Sequence, residues 1–193
     1  MELLETKPLH EGKHVDFVAK RYRHADGSEV VREIVEHPGS VAVLAHDEEF
    51  AYLVAQPREA VEEEELLEIP AGTLDHEGES ELECAQRELA EEAELQAEEW
   101  SVLHVIYPSP GFLTEKVTIF EATGLSPAIG ERDEDEEIEI VRLDLAQLDE
   151  ALPQIRDATT VIALLWLQER IRSGGSTKPP GSDERKPSES ADF

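Results

Sequence analysis

The sequence has little sulfur and no long apolar run. One cysteine, Cys84, occurs among the 193 residues, which excludes a disulfide framework and a zinc site built from cysteines. No apolar stretch approaches the roughly 20 residues that span a bilayer. The start, Met1 to Glu5, lacks the basic residues and the apolar stretch of a signal peptide. These absences predict a cytoplasmic protein without a membrane segment.

Basic side chains are also scarce. The chain has 17 Lys and Arg against 46 Asp and Glu, and its net charge is −29. This negative field repels phosphate backbones and anionic lipids, so we expect neither nucleic acid nor a membrane as partner. The sequence contains no glycine-rich nucleotide loop and no Gly-x-Ser-x-Gly motif. It therefore offers no support for dinucleotide redox chemistry or for serine hydrolysis.

The remaining composition supports a packed α/β protein. Hydrophobic residues make up 39% of the chain, enough for one domain with a small extra module. Ser80 and Glu83 have the spacing of a capping box, so a central helix is predicted to begin at Ser80. A second, apolar helix is predicted over 158–171. Alternating or short apolar runs predict strands at 15–23, 29–35, 41–45, 50–55, 66–69, 100–106, 116–122 and 138–143.

Three regions follow from this order of elements. We expect an N-terminal β-hairpin region over 1–40, a main domain over 41–172, and a disordered tail over 173–193. The tail is rich in Ser, Gly, Pro and Lys, a composition that buries too little apolar surface to fold.

A group of carboxylates on the central helix is a candidate site for a divalent cation. Glu88 and Glu92 are four residues apart, so they share a helix face with Glu91 beside them. Like charges at this spacing repel one another, and a divalent cation would remove the repulsion. Oxygen ligands suit Mg²⁺ or Mn²⁺. The alternative is a solvated acidic helix face in a chain that is rich in glutamate.

The wider spacing resembles the Nudix box. Gly72, Glu79, Arg87-Glu88-Leu89, Glu91-Glu92 and Leu95 all match its pattern. There are two departures from it. The loop between Gly72 and Glu79 has one extra residue, and Glu94 stands where the pattern has glycine. We expect the helix end to adjust to Glu94, because glycine there favours left-handed backbone geometry.

Flanking segments resemble the ADP-ribose pyrophosphatase subfamily over roughly residues 10 to 172. The matching segments are 33–39, Gln56-Pro57-Arg58, 66–72, Ser109-Pro110-Gly111 and 157–160. The resemblance implies a Nudix fold of class α/β, with a mixed β-sheet between α-helices and an N-terminal antiparallel sheet. It also implies a homodimer that exchanges the N-terminal sheet.

The resemblance assigns metal and catalytic roles. Glu88 and Glu92 would be the main ligands of Mg²⁺, or of Mn²⁺, together with the backbone carbonyl of Ala71. Glu91 would assist in catalysis. Glu79 would join a second metal or pair with Arg87, a structural residue whose guanidinium holds Glu79 or Glu91.

The loop after the Ser-Pro-Gly segment would carry the general base. Glu115 matches the family's catalytic glutamate in this loop, which could close on substrate. The alternative is that Glu115 merely opens the next strand. Pro110 and Gly111 would shape the loop.

Substrate contacts are assigned in the same way. Arg58 would contact a phosphate or the terminal ribose, or else form a surface ion pair with Glu62 or a neighbouring residue. Arg32 would reach substrate from a partner subunit. Gly72 and Leu74 would lie against the substrate, and Cys84 would be buried filler.

The expected reaction is hydrolysis of ADP-ribose, or of an ADP-sugar, to AMP and ribose 5-phosphate. Three alternatives stay open. One is a related hydrolase for another nucleoside diphosphate sugar such as GDP-mannose. The second is a Nudix-fold sensor that binds ADP-ribose without cleaving it, and the third is an acidic interaction protein without catalysis.

Overall fold

A computed structural model describes residues 1–13, 15–130 and 137–175. Most of the predicted tail, from residue 176 onward, lies outside these ranges. No helix in the described ranges is long and apolar enough to cross a membrane. The strands are β1 (Glu2–Glu11), β2 (Asp16–Arg23), β3 (Glu29–Glu36), β4 (Ser40–His46), β5 (Phe50–Arg58), β6 (Glu63–Glu68), β7 (Ala71–Thr73), β8 (Leu95–Ile106), β9 (Val117–Pro127) and β10 (Glu139–Asp144). The α-helices are α1 (Glu81–Ala93), α2 (Leu148–Ala151) and α3 (Ala158–Arg172).

The first three strands form an antiparallel sheet of their own. Strands β2 and β3 make the predicted hairpin around Asp26 and Gly27, and β1 adds a third strand beside β2. The sequence prediction missed β1, because its residues are almost all exposed and its charged positions show no clear alternation. Val18 is the one buried hydrophobic residue among the described positions of this sheet.

The second sheet is mixed, as predicted. Its strand order is β10-β5-β4-β9-β8, with β6 paired to β5 and β7 paired to β4. Strands β4 and β9 run parallel, whereas the other neighbours are antiparallel. Strand β4 therefore lies in the middle of the sheet, and its residues from Val41 to His46 are all buried.

Helices cover both faces of the mixed sheet. On one face, Cys84, Ala85 and Leu89 of α1 pack with Val41 and Val43 of β4. On the other face, Ala163, Leu164 and Leu167 of α3 pack with Ala42 and Leu44. The alternation of side chains along β4 sends neighbouring residues to opposite faces. The predicted sandwich is confirmed.

Several predicted boundaries were too short. Strand β8 begins at Leu95 rather than residue 100, and β9 continues to Pro127 rather than residue 122. These two strands pair along nearly their whole length. The added residues are half-buried or exposed and mix polar with apolar side chains, so no apolar run marked them as strand. The short helix α2 was also missed.

Candidate functional site

Helix α1 begins as its sequence requires. The Ser80 side chain accepts a hydrogen bond from the Glu83 amide, and the Glu83 carboxylate accepts one from the Ser80 amide, so the predicted capping box is confirmed. Burial of the apolar face then places Glu88 and Glu92 against β7.

The end of α1 corrects one expectation. Glu94 adopts φ 56° and ψ 34°, the left-handed geometry of the helix end, and its amide donates to the Leu89 carbonyl. The helix end therefore did not adjust to a residue other than glycine. The backbone retains the left-handed geometry at Glu94, because strand β8 begins at the next residue.

Strand β7 fits closely against the carboxylates of α1. Glu92 is only 5% exposed, and its Oε2 accepts a hydrogen bond of 2.8 Å from the Ala71 amide. A Cβ atom at Gly72 would lie 1.9 Å from Glu88 Oε1 and 2.5 Å from Glu88 Cγ. Only glycine leaves room for Glu88 in this position.

Arg87 bridges three of the motif's carboxylates. Its Nε and Nη2 donate to the two oxygens of Glu79 at 2.9 and 3.1 Å. Its Nη1 donates to Glu88 Oε1 at 2.7 Å and to Glu91 Oε2 at 2.9 Å. The hydrogen bond from Arg87 lowers the pKa of Glu79, and the carboxylates raise the pKa of Arg87 in turn.

Cys84 lies beneath this group. Its side chain is fully buried in the core between α1 and the sheet. Burial raises the pKa of the Cys84 thiol to about 12. The thiol therefore stays protonated at neutral pH, which agrees with the predicted filler role rather than with a nucleophile.

The loop from Tyr107 to Lys116 is held against the end of β3. The amides of Phe112 and Leu113 donate to the Ser109 carbonyl, so Pro110 and Gly111 form the middle of a tight turn. The Val35 amide donates to the Phe112 carbonyl at 2.8 Å. Glu115 Oε1 accepts a hydrogen bond of 2.5 Å from the Ser40 hydroxyl.

One cavity of about 630 Å³ brings most of the predicted residues together. A volume of this size suits a small-molecule ligand. Of the predicted site residues, the cavity is lined by Arg58, Ala71, Gly72, Arg87, Glu88, Glu91, Glu92 and Glu115.

The other predicted residues lie outside the cavity lining. Glu79 does not line the cavity itself but contacts two residues that do, Arg87 and His76. Leu74 packs into the core beside α1, and Arg32 is exposed on β3. Pro110 and Gly111 shape the loop but do not face the cavity.

Arg58 forms an ion pair, the alternative considered from sequence, but with another partner. Its Nε and Nη2 donate to the carboxylate of Glu68, with the shortest contact at 2.6 Å, and Gln56 donates to the same carboxylate at 3.0 Å. The partner is therefore Glu68 and not Glu62, the alternative considered from sequence. Hydrogen bonding to Glu68 raises the pKa of Arg58.

Sequence reasoning missed several cavity residues. A polar residue between apolar neighbours was the available signal for Glu68, which follows Leu66-Leu67 and precedes Ile69. Asp157 caps α3 by accepting from the Thr160 amide at 2.7 Å, and its place before an apolar helix was the signal there. Ser40 and His37 had no such signal.

The family model described as NUDIX domain matches residues 36–164. The chain therefore belongs to the Nudix family, and the predicted resemblance is confirmed.

Named relatives refine this class. The chain is 36% identical over 173 residues to the methanol dehydrogenase activator of Bacillus methanolicus, covering 86% of this chain and 91% of the relative. It is also 36% identical over 164 residues to the ADP-ribose pyrophosphatase of Bacillus subtilis (strain 168), covering 81% and 86%. A solved structure titled "Crystal structure of ADP compounds hydrolase" superimposes with a TM-score of 0.77 at 25% identity, covering 91% of this chain and 96% of that one.

Proposed function

We propose that this chain hydrolyses the diphosphate of ADP-ribose, or of an ADP-sugar, to AMP and ribose 5-phosphate or the corresponding sugar phosphate. One observation carries the proposal: the helix carboxylates Glu88, Glu91 and Glu92 line the same cavity as Glu115 from a separate loop. The relatives named for ADP-ribose and the structure titled for ADP compounds support the substrate class.

The charge of the cavity favours a divalent cation. An anionic diphosphate enters a lining with seven carboxylates and two arginines, so cations must offset the repulsion. The seven carboxylates belong to Glu68, Asp75, Glu88, Glu91, Glu92, Glu115 and Asp157.

Oxygen donors of this kind fit Mg²⁺, with Mn²⁺ as the second choice. Glu88, Glu92 and the Ala71 carbonyl would hold the ion, and Glu79 would act through Arg87 or hold a second ion. A bound cation would polarise the phosphoryl oxygens under attack. Within the described ranges no three acidic, His or Cys side chains are already grouped to hold an ion. Arg87 Nη1 instead neutralises Glu88 and Glu91.

The remaining steps fall to side chains of this chain. Glu115 takes a proton from the attacking water, and a new bond forms from the water oxygen to phosphorus. The phosphoanhydride bond breaks, and its electron pair leaves with the bridging oxygen on the departing phosphate. Glu91 would assist as a further carboxylate beside Glu88 and Glu92 for holding the cation. Arg58, held by Glu68, would contact a phosphate or the terminal ribose.

Three assignments stay predictions. Arg32 would contact substrate only from a second subunit, and Leu74 would need to leave its packed position. A cytoplasmic location also rests on the sequence alone.

The N-terminal sheet supports the homodimer. It leaves large apolar side chains exposed, including Leu3 at 51% and Val31 at 58%, while burying little of its own. A three-stranded sheet gains stability by covering such a surface. A second copy of the chain is the partner proposed here.

The test is AMP release from ADP-ribose in Mg²⁺, beside Glu92→Gln and Glu98→Gln. We expect wild type to turn over and Glu92→Gln to lose at least about 100-fold in kcat. Glu98 is exposed on β8, away from the cavity. Its variant removes the same charge and should behave as wild type. Mg²⁺ should also raise the melting temperature by mass action.

The other outcomes identify the alternatives. Activity on GDP-mannose alone would keep the enzyme and change the substrate. Tight ADP-ribose binding without turnover would indicate a sensor. An unchanged melting temperature in Mg²⁺ and no turnover would favour an acidic interaction protein.

A further inference from the structure

The segment joining the two sheets is bonded to the loop that carries Glu115. Beyond the bond from the Val35 amide to Phe112, the Thr114 amide donates to the Val35 carbonyl at 3.0 Å. The Thr114 hydroxyl accepts from the His37 amide at 2.9 Å. The Ser40 amide donates to the Lys116 carbonyl at 2.9 Å. The loop is therefore fixed by residues 35–40.

Ser40 is held by strand pairing on both sides. As the first residue of β4, it pairs with Thr73 of β7 on one side and with Val117 of β9 on the other. Its hydroxyl lines the cavity and lies 2.5 Å from Glu115 Oε1. An ionised carboxylate only accepts, so the hydroxyl is the donor in this short, charge-assisted bond.

The backbone contacts do not depend on this hydroxyl. The amide of Ser40, the strand ladder and the bonds at Val35 and His37 hold the two segments together by main-chain groups and Thr114. Loss of the Ser40 hydroxyl therefore leaves the loop in place and releases only the carboxylate.

We propose that Ser40 is a positioning residue for Glu115, an inference that rests on the proposed function. Its hydroxyl holds Oε1 and so fixes the plane of the carboxylate. Within the described ranges Oε2 has no hydrogen-bond partner, and this oxygen takes the proton of the attacking water. A general base works only when its accepting atom is held at the reacting proton.

Two nearly isosteric variants test this role. Thr and Val have almost the same shape, and only Thr keeps the hydroxyl. We expect Ser40→Thr to retain most of the activity and Ser40→Val to lose about 10- to 100-fold in kcat. KM should change by less than about twofold, since Ser40 acts on the transition state and not on binding. Melting temperatures of both variants identify any loss of folding.

Two controls separate this role from a general effect. In the Glu115→Gln background, Ser40→Val should cause no further loss, because the two residues act as one unit. Ser101 donates to Glu121 at 3.2 Å, a matching Ser–Glu bond that does not line the cavity. Ser101→Ala should keep the wild-type kcat.

The outcomes are distinct. If wild type fails to release AMP, the proposed function falls and the role of Ser40 falls with it. If wild type is active, Glu115→Gln is slowed but still measurable, and a folded Ser40→Val equals Ser40→Thr, only the positioning role is overturned. Equal loss in both Glu115 backgrounds would overturn it as well.

Discussion

Gly72 shows how one missing side chain sets the geometry of the site. Its α-carbon faces the carboxylate of Glu88 so closely that any Cβ would overlap both Oε1 and Cγ. Because Cγ is not the free end of the side chain, rotation of the carboxylate alone would not relieve the overlap. The glycine of the motif is explained here by close approach and not by backbone conformation.

Replacing Gly72 with alanine should move Glu88 and weaken cation binding. We expect the Mg²⁺ concentration for half-maximal activity to rise by at least about tenfold, the usual scale for disturbing a ligand's orientation. The measurement is AMP release against Mg²⁺ concentration. Thermal unfolding in EDTA checks that the variant folds. An unchanged Mg²⁺ requirement in a folded variant would contradict the ligand role of Glu88.

Helix α1 is the element that gathers the site. Its capping box and its apolar face were legible in the sequence, and these fix where the helix starts and which side is buried. Its end was not, because the left-handed geometry at Glu94 is imposed by the need to enter β8. An L-residue other than glycine there costs roughly 1–2 kcal/mol.

Glu94→Gly should therefore stabilise the protein by about 1 kcal/mol, since part of the relief is offset by the entropy that glycine loses on folding. The melting temperature should rise by about 2–4 °C for a chain of this size. Glu94→Ala is the matched control, because it removes the carboxylate and keeps the strained Cβ. An equal gain in both variants would assign the effect to the charge of Glu94 and not to its backbone.

At the scale of the whole molecule, net charge and exposed apolar surface have opposite effects on the association of two chains. Each chain carries −29, so two chains repel when they approach. The N-terminal sheet, with its exposed Leu3 and Val31, draws them together. The balance depends on salt, because screening removes the repulsion and leaves apolar contact in place.

Sedimentation should show a species of twice the 21.6 kDa chain mass. The dimer should be more abundant at about 1 M than at about 0.1 M NaCl. The Debye length falls from about 10 Å at 0.1 M to about 3 Å at 1 M, so the repulsion is screened at high salt. Val31→Glu should weaken it. Val61→Glu adds the same charge at an equally exposed site outside the N-terminal sheet and should not. A monomer under all conditions would contradict the homodimer.

The sequence by itself determined the family, the α/β class and the carboxylates of α1. These depend on local rules, namely helical spacing, capping and the fixed spacing of the motif, which are written in neighbouring residues. The tertiary structure alone decided which distant residues meet. Ser40 joins Glu115 across 75 positions because β4 and β9 run parallel, and Glu68 joins Arg58 because β5 and β6 pair. Strand pairing of this kind is set by the packing of the whole sheet, which no local pattern specifies.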